Sequence, residues 1–154
     1  MTSMKLSPQG PDFDGRVRAS FARQQVMATL GVEISKLSPG EIELTMPYAD
    51  AYTQQHGFLH AGIVATALDS ACGYAAFSLM PANAGVLTVE FKISLLAPAR
   101  GQRFIFRAQV VKPGKTLTFC EASASAEDGD AEPRLVATMT ATLMAIYDRP
   151  GITQ

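Results

Sequence analysis

The sequence predicts an α+β fold, in which one long central helix is wrapped by an antiparallel sheet of five to six strands. An apolar run at residues 61–80 predicts the helix, and a second half that alternates apolar and polar residues between short turns predicts the sheet. One sheet has two faces, and a single helix covers only one of them. We therefore expect free sheet edges to pair two copies into a homodimer, and a dimer of dimers (a homotetramer) stays open.

The length and composition are those of one globular domain. The chain has 154 residues, of which 47% are hydrophobic and 18% are charged, and this is enough to bury a core. Residues 1–15 contain two prolines, two glycines and two aspartates, which predicts a flexible N-terminal arm. The single domain is therefore assigned to residues 16–150.

Charge and the N-terminal sequence limit the class of partner. A net charge of −1 argues against nucleic-acid binding, which usually requires a basic excess. The N-terminus lacks the apolar run of a signal peptide, so we expect a cytoplasmic protein. Residues 61–80 are long enough to cross a membrane, but they contain an acid and have no basic flank. We interpret them as a helix inside the protein and expect no membrane partner.

The remaining elements follow from local patterns. Residues 17–30 predict one short amphipathic helix that ends at Gly31, and residues 38–41 predict a type II turn between two strands. A four-strand meander is predicted at residues 86–96, 103–111, 116–126 and 134–147. One face of the first of these strands is predicted to carry Leu87, Val89, Phe91, Ile93 and Leu95.

A single carboxylate, Asp69, interrupts the apolar helix. At helical spacing it shares one stripe with Gly62, Thr66 and Gly73, so it lies on a face of small or polar side chains. An unpaired buried carboxylate costs several kcal/mol or becomes neutral. It could pair with a basic residue or lie at a wet dimer interface, but residues 24–91 contain one lysine and no arginine. This scarcity of partners favours a functional role.

The start of the same helix offers a second chemical group. In the segment QQHGFLHAG the chain turns through Gly57 and His60 into the helix. The first amides of a helix have no internal partner and carry the positive end of its dipole. The N–H of Ala61 or Gly62 could therefore hold a developing oxyanion, with Asp69 two turns further as a base. That combination suits acyl transfer to water.

The motif GFLHAGIVATALDSACGYAA resembles the signature of PaaI-like hotdog-fold acyl-CoA thioesterases, with Gly57, His60 and Asp69 at the family's spacings. The segments GVLTVEFKISLLAPARG and VVKPGKTLTFCEASA resemble the family's central strand and its Lys-x-Gly-Lys-Thr turn. The resemblance covers residues 40–147. It implies a hotdog dimer that hydrolyses small, medium-chain or aryl acyl-CoA thioesters to free acid and coenzyme A, with no separate cofactor.

The resemblance also implies roles for individual residues. Asp69 matches the catalytic acid, as general base or nucleophile, and the N–H of Ala61 matches the amide that polarises the thioester carbonyl, with His60 supporting the turn. Gln54 stands where the family has an Asn that positions water or the leaving sulfur. Thr88 matches a hydroxyl that holds the attacking water. In the family, the acid of one subunit faces the helix start of the other.

Two positions depart from the family pattern. The family's His-Gly-Gly becomes His60-Ala61-Gly62, which keeps the amide, and Gln54 is one methylene longer than Asn. His56 is an additional histidine in this turn, which we interpret as a solvated loop residue.

Substrate-binding residues are expected in two places. Small or polar residues around the helix start and along its stripe are expected to let the substrate approach: Gly57, Gly62, Thr66 and Gly73. Lys112, Lys115 and Arg100 are interpreted either as solvated charge or as a small basic surface for the phosphates of coenzyme A. The depth of the acyl pocket is expected to depend on how the partner subunit packs over Tyr74, Phe77 and Met80.

The other reactive side chains are interpreted as structural. Cys72 and Cys120 are expected to be buried thiols, and Asp69 one turn away would raise the pKa of Cys72. The i, i+4 spacing of His56 and His60 resembles a pair of metal ligands, but the loop setting argues against zinc. Two other functions stay open: an acyl-CoA sensor or carrier without turnover, and a hydratase or dehydratase on the same fold.

Overall fold

The computed structural model describes residues 5–154, so the first four residues of the predicted arm lie outside the described residues. This part of the chain contains the helices α1 (Phe13–Arg23), α2 (Gln25–Leu30) and α3 (Ala61–Phe77), a 3₁₀ turn (Asp50–Tyr52), and the strands β1 (Glu33–Ser38), β2 (Glu41–Pro47), β3 (Ala84–Leu95), β4 (Arg103–Lys112), β5 (Leu117–Glu127) and β6 (Arg134–Tyr147). The predicted α+β architecture is confirmed. Within residues 5–154, no helix has the length and apolar character needed to cross a membrane.

The N-terminal region forms two helices where the pattern predicts one. The Asp12 side chain accepts the N–H of Gly15 (3.1 Å) and begins α1 earlier than predicted. The helix breaks at Gln24, whose extended backbone has ψ 95° and whose side chain accepts a hydrogen bond from Ser70 Oγ on α3 (2.7 Å). The second helix ends at Gly31 (φ 70°), as predicted.

The strands form one antiparallel sheet in the order β1-β2-β4-β5-β6-β3. The predicted meander is correct for β4, β5 and β6, but it is wrong for β3, which pairs with β6 and not with β4. The reason is the connection at residues 96–102, which is not a tight turn. It passes beside the segment before α3, where the Leu59 N–H donates to the Ala99 C=O (3.0 Å), and it takes the chain across the sheet.

The core lies between α3 and the face of the sheet that contacts it, which we call the inner face. Phe104 and Phe106 on β4 are 0% exposed, as their alternation predicts. On α3, Leu68, Ala71 and Ala75 are also 0% exposed. Small side chains on the helix let the curved sheet approach it closely, so an apolar helix can sit at the centre of a domain of this size.

The edge strand β3 contains a β-bulge at Val89. Thr88 pairs with Leu143 on β6, whereas Glu90 pairs with the preceding residue, Thr142. Val89 is therefore an extra residue without its own partner, and the alternation of side chains changes sides there. Leu143 is fully buried on the inner face, so Thr88 opposite it points toward α3.

The bulge overturns the predicted face of β3. Leu87 pairs with the exposed Met144 and lies on the outer face, whereas Phe91 pairs with the buried Ala141 and lies on the inner face. The prediction that Leu87 and Phe91 share a face is therefore wrong, because it assumed an unbroken period of two.

Candidate active site

A short hairpin, residues 52–60, leads into α3. Its ends are joined by a hydrogen bond from the His60 N–H to the Tyr52 C=O (2.9 Å) and by an isolated β-bridge between its two arms. The Tyr52 hydroxyl donates to the C=O of Thr29 on α2 and so attaches the hairpin to a second element. These bonds fix the direction in which the first turn of α3 is presented.

His60 is the N-cap of α3. Its backbone is extended (φ −59°, ψ 137°), and its Nδ1 accepts the N–H of Gly62 at 2.9 Å. The ring proton of neutral His60 is therefore on Nε2. A side chain at Gly62 would crowd the ring, because a Cβ there would lie 3.1 Å from Nδ1. The cap therefore accounts for both the histidine at position 60 and the glycine at position 62.

The cap leaves one amide of the first turn available. The Gly62 N–H is bonded to the His60 ring, and the Ile63 N–H donates to the His60 C=O (2.9 Å). The Ala61 N–H has no acceptor among residues 5–154. Of the two amides that the sequence offers, the geometry thus leaves Ala61 as the free donor at the positive end of the helix.

Asp69 lies eight residues further along α3 and is half-buried. Its Oδ1 accepts a hydrogen bond from Thr88 Oγ1 on β3 (2.8 Å). Burial raises the pKa of the Asp69 carboxyl above its usual range, and the bond from Thr88 opposes the rise. Within the described part of the chain, no Lys or Arg forms an ion pair with it. Asp69 is therefore a partly desolvated carboxylate held by a single hydroxyl.

The tip of the hairpin is folded by its own side chains. Gln54 Oε1 accepts the N–H of His56 (2.5 Å), which leaves its Nε2 group and one lone pair of Oε1 to contact a ligand. Gly57 has φ 80°, a left-handed conformation that favours glycine. His56 is exposed, and its ring lies near Phe58 with a centroid distance of 6.3 Å.

The stripe of α3 that carries Asp69 is the side of the helix that its own chain covers least. Gly62 is exposed, and Thr66 and Gly73 are half-buried. Thr66 Oγ1 donates to the Gly62 C=O (2.8 Å), so its hydroxyl is used within the helix. A Cβ at Gly73 would meet no atom within 4 Å. Glycine in a helix costs about 1 kcal/mol relative to alanine, and no contact within residues 5–154 requires it.

The free amide and the carboxylate of one chain are too far apart to act on one thioester group. Eight residues of α-helix separate Ala61 from Asp69, which corresponds to about 12 Å along the axis. An oxyanion donor and a base acting on the same carbonyl must both lie within hydrogen-bonding reach of it. The single chain therefore holds two halves of a site.

The predicted basic surface does not form within one chain. Arg100 precedes β4, whereas Lys112 ends that strand and Lys115 follows it, so they lie at opposite ends of a ten-residue strand, about 30 Å apart. The Arg100 guanidinium lies over the Phe58 ring, 5.0 Å from its centroid, and so belongs to the hairpin end of the molecule. Grouping all three residues in one surface of a single chain was wrong.

The expectation about the acyl pocket also needs correction. Tyr74, Phe77 and Met80 are at most 4% exposed within one chain, and α1 packs against the first two. Phe21 packs edge-on against Tyr74 at 5.6 Å between centroids, and Arg16 lies over the Phe77 ring at 5.0 Å. A partner subunit therefore cannot set the pocket depth by packing directly over these residues.

The two cysteines are buried, as predicted. Burial raises the pKa of Cys120 to about 12. Burial, Cys120 and Asp69 all raise the pKa of the Cys72 thiol. Neither thiol has the low pKa that a nucleophile needs. In residues 5–154, moreover, no three His, Cys, Asp or Glu side chains cluster as metal ligands would.

The sequence reasoning missed the bond from Tyr52 to Thr29 and the bond from Ser70 to Gln24. Both join residues that are distant in the chain, so no local pattern indicates them. It also missed a cavity of about 870 Å³ on the outer face of the sheet, lined by residues such as Glu43, Arg107 and Glu121. None of the predicted site residues lines that cavity.

Comparison with known proteins places this chain in a family. Residues 56–132, which contain His60, Asp69 and Thr88, match the thioesterase superfamily model. A thioesterase family protein from Silicibacter pomeroyi has a solved structure that is 66% identical, with a TM-score of 0.86, and the match covers 88% of this chain and 98% of that one. Human acyl-coenzyme A thioesterase 13 is 30% identical over 89 residues, which are 57% of this chain and 63% of that protein.

The fold comparison agrees with the sequence match. The structure of the E. coli PaaI protein, from the phenylacetic acid degradation operon, superposes with a TM-score of 0.78 at 20% identity, over 92% of this chain and 96% of that one. At that identity the likeness concerns the fold alone. The chain belongs to the thioesterase superfamily, has the PaaI-like hotdog fold, and is a thioester hydrolase.

Proposed function

We propose that this thioester hydrolase acts on small, medium-chain or aryl acyl-CoA thioesters, releasing the free acid and coenzyme A. The observation that carries the proposal is the pair formed by the free Ala61 N–H and the partly buried Asp69 carboxylate. One is an oxyanion donor and the other is a base, and together they supply what attack of water on a thioester requires. The similarity to acyl-coenzyme A thioesterase 13 supports coenzyme A as the thiol.

In the proposed reaction, Asp69 takes a proton from a water molecule while the water oxygen forms a bond to the thioester carbon. The carbonyl oxygen gains negative charge, and the Ala61 N–H stabilises it. When the intermediate collapses, the C–S bond breaks and the proton on Asp69 passes to the leaving sulfur of coenzyme A. Thr88 holds the carboxylate in position through its hydrogen bond to Oδ1.

The two halves of the site come from two copies of the chain in this proposal. The edge strand β1 is six residues long and has an irregular register between Ile34 and Lys36, so it is poorly suited to pairing with a second chain. The other edge, β3, is twelve residues long and exposes apolar side chains, with Val89 54% and Phe91 43% exposed. A second copy paired along β3 places the helix start of one chain near Asp69 of the other.

Two inactive variants test this arrangement directly. Asp69→Asn removes the base and Ala61→Pro removes the amide donor, and each protein alone is expected to be inactive. When the two variants are unfolded together and refolded, a mixed dimer contains one site with both changes and one site with neither. We expect thiol release from a panel of acyl-CoAs to recover to about a quarter of the wild-type rate, since half of the dimers are mixed.

In the control, each variant is refolded alone, and the two refolded proteins are then mixed under conditions in which subunits do not exchange. Recovery only after joint refolding supports a site shared between two chains. Failure to recover, with both variants folded and each inactive alone, would place both groups in one chain's site and overturn the shared arrangement. Wild-type protein that binds acyl-CoA without releasing thiol would instead favour the sensor or carrier.

The role of Asp69 as base rather than nucleophile has its own test. A nucleophilic Asp69 would form a mixed anhydride, and water would then release the acid. A single turnover quenched rapidly in acid, followed by mass spectrometry of the peptide that contains Asp69, separates the two, because a mixed anhydride adds the mass of the acyl group to that peptide. We expect no acylated peptide at any time during the turnover. Acylation of Asp69 that appears before the free acid would establish the nucleophile.

A further inference from the structure

The C-terminal tail, residues 148–154, turns back from β6 onto the edge strand β3. The turn is closed by a hydrogen bond from the Ile152 N–H to the Arg149 C=O (3.1 Å) and contains Gly151 at φ 82°. Beyond the turn, Gln154 Oε1 accepts the N–H of Val86 (3.2 Å). That N–H belongs to β3, so the tail occupies a backbone donor that edge pairing would otherwise use.

Gly85 provides the space for this tail. A Cβ at Gly85 would lie 2.8 Å from Ile152 Cγ2 and 3.3 Å from Gln154 Oε1. Gly85 itself is buried although it lies on an edge strand. The tail therefore crosses the strand at a position without a side chain and covers the strand at residues 85–86.

We propose that this tail sets the register in which a second copy pairs with β3. The inference rests on the proposed function, because it takes a second copy along β3 as the partner. A pleated edge strand by itself allows several registers that differ by two residues. Because the tail covers one end of the strand, it excludes the registers in which pairing would extend to residues 85–86.

The length of the free edge gives one estimate of the symmetry axis. With residues 85–86 covered, the open part of β3 runs from Leu87 to the end of the strand at Leu95. In an antiparallel pair related by a twofold axis, the residue at the axis faces its own copy. Pairing that uses the whole free edge therefore centres on Phe91, its middle residue.

The catalytic groups give a second, independent estimate. A short connection, residues 78–83, leads from α3 into β3, so the two elements run in opposite directions, with Asp69 beside Thr88. Ala61 lies about 12 Å back along α3, which is the length of about four residues of regular strand. Because the bulge at Val89 adds one residue without adding length, this point lies about five residues after Thr88 on β3. A twofold axis that brings one copy's Asp69 level with the other copy's Ala61 passes midway along that length, about residue 91. The two estimates agree.

Disulfide trapping along β3 tests the register. Single substitutions Val89→Cys and Phe91→Cys are made in the full chain, and the yield of oxidised dimer is measured for each. The native cysteines do not interfere, because Cys72 is 0% and Cys120 is 2% exposed. We expect Phe91→Cys to give the higher yield, since a residue at the axis meets its own copy within disulfide range.

Each of the two single cysteine substitutions is then made in a chain whose tail cannot cover β3. The double change Ile152→Asp with Gln154→Ala removes both contacts, and Thr153→Ala, at the exposed position between them, is the matched control. We expect the ratio of Phe91→Cys to Val89→Cys dimer to fall at least threefold in the double variant and to stay unchanged in the control. Turnover per chain should fall with the fraction of dimers out of register.

An unchanged ratio in the double variant would overturn the role of the tail. Trapping at neither position in an active dimer would overturn the register and leave the proposed function standing. Failure of the proposed function appears separately, as an absence of thiol release by the unmodified chain. Each result therefore bears on one of the two proposals.

Discussion

At the scale of single residues, Asp69 lowers the stability of the fold through its partial burial and is the proposed catalytic base. Asp69→Asn keeps the size of the side chain and removes the base, so we expect kcat for acyl-CoA hydrolysis to fall by about 10² or more. Glu33→Gln, the same change at an exposed position on the opposite edge strand, is the control. A near-normal kcat for folded Asp69→Asn would exclude Asp69 as the base.

The raised pKa of Asp69 predicts opposite pH effects on stability and on rate. Because burial raises this pKa in the folded chain, the folded state holds the proton more tightly than the unfolded state. Above the pKa that Asp69 has in the unfolded chain, the free energy of unfolding falls as pH rises, and it stops falling once pH passes the pKa of Asp69 in the folded chain. The rate should rise over that same interval, because the base must be ionised.

Urea unfolding and kcat/KM measured across acidic to neutral pH check both trends. Asp69→Asn should be more stable than wild type at pH 7 and should lose the pH dependence that Asp69 causes. A variant less stable than wild type at pH 7 would mean that the Thr88 bond outweighs the desolvation of Asp69.

At the scale of elements, the first residue of α3 allows the role of its backbone N–H to be tested apart from the role of its side chain. Ala61 is the first residue of the helix, a position that suits proline, and His60 before it has the extended backbone that a residue preceding proline prefers. Ala61→Pro should therefore fold and lose only the N–H. We expect kcat to fall by about 10² to 10³, the usual effect of losing one oxyanion donor.

Ala61→Ser, which keeps the N–H, is the companion variant and should retain most of the activity. Circular dichroism and thermal unfolding establish that both proteins keep the fold. Equal turnover of folded Ala61→Pro and wild type would exclude this amide as the donor to the thioester carbonyl.

The N-cap of the same helix makes a prediction about stability. His60 Nδ1 bonds the Gly62 N–H, so His60→Ala should lower the free energy of unfolding by about 1 kcal/mol, the usual effect of losing a cap. His60→Asn, which can cap through its own oxygen, should recover most of that loss. Chemical denaturation of the three proteins measures the difference, and equal destabilisation by Ala and Asn would contradict the capping role.

At the scale of the whole molecule, activity should depend on association. Val89→Lys places a charge at a 54% exposed position on the edge of β3, and it opposes strand pairing. We expect a lower molar mass by light scattering and a parallel loss of turnover. Val26→Lys, at a residue 44% exposed on α2, is the control for an added charge. A fully active monomer would refute the shared site.

The sequence alone determined the features that depend on local pattern. The apolar run predicted α3, the period of two predicted the buried faces of β4, and the spacing of His60 and Asp69 indicated the family and the candidate site. These signals work because helical and strand periods follow from backbone geometry and are visible in a few consecutive residues.

Only the tertiary structure decided which groups meet. The bulge at Val89 turns Thr88 toward Asp69, although strict alternation would have turned it away, and the connection at residues 96–102 places β3 beside β6. The helix α1, and not a second subunit, covers Tyr74, and Arg100 lies far from Lys112. Each of these depends on contacts between residues distant in the chain, whose energies are set by packing and burial, and no local pattern records them.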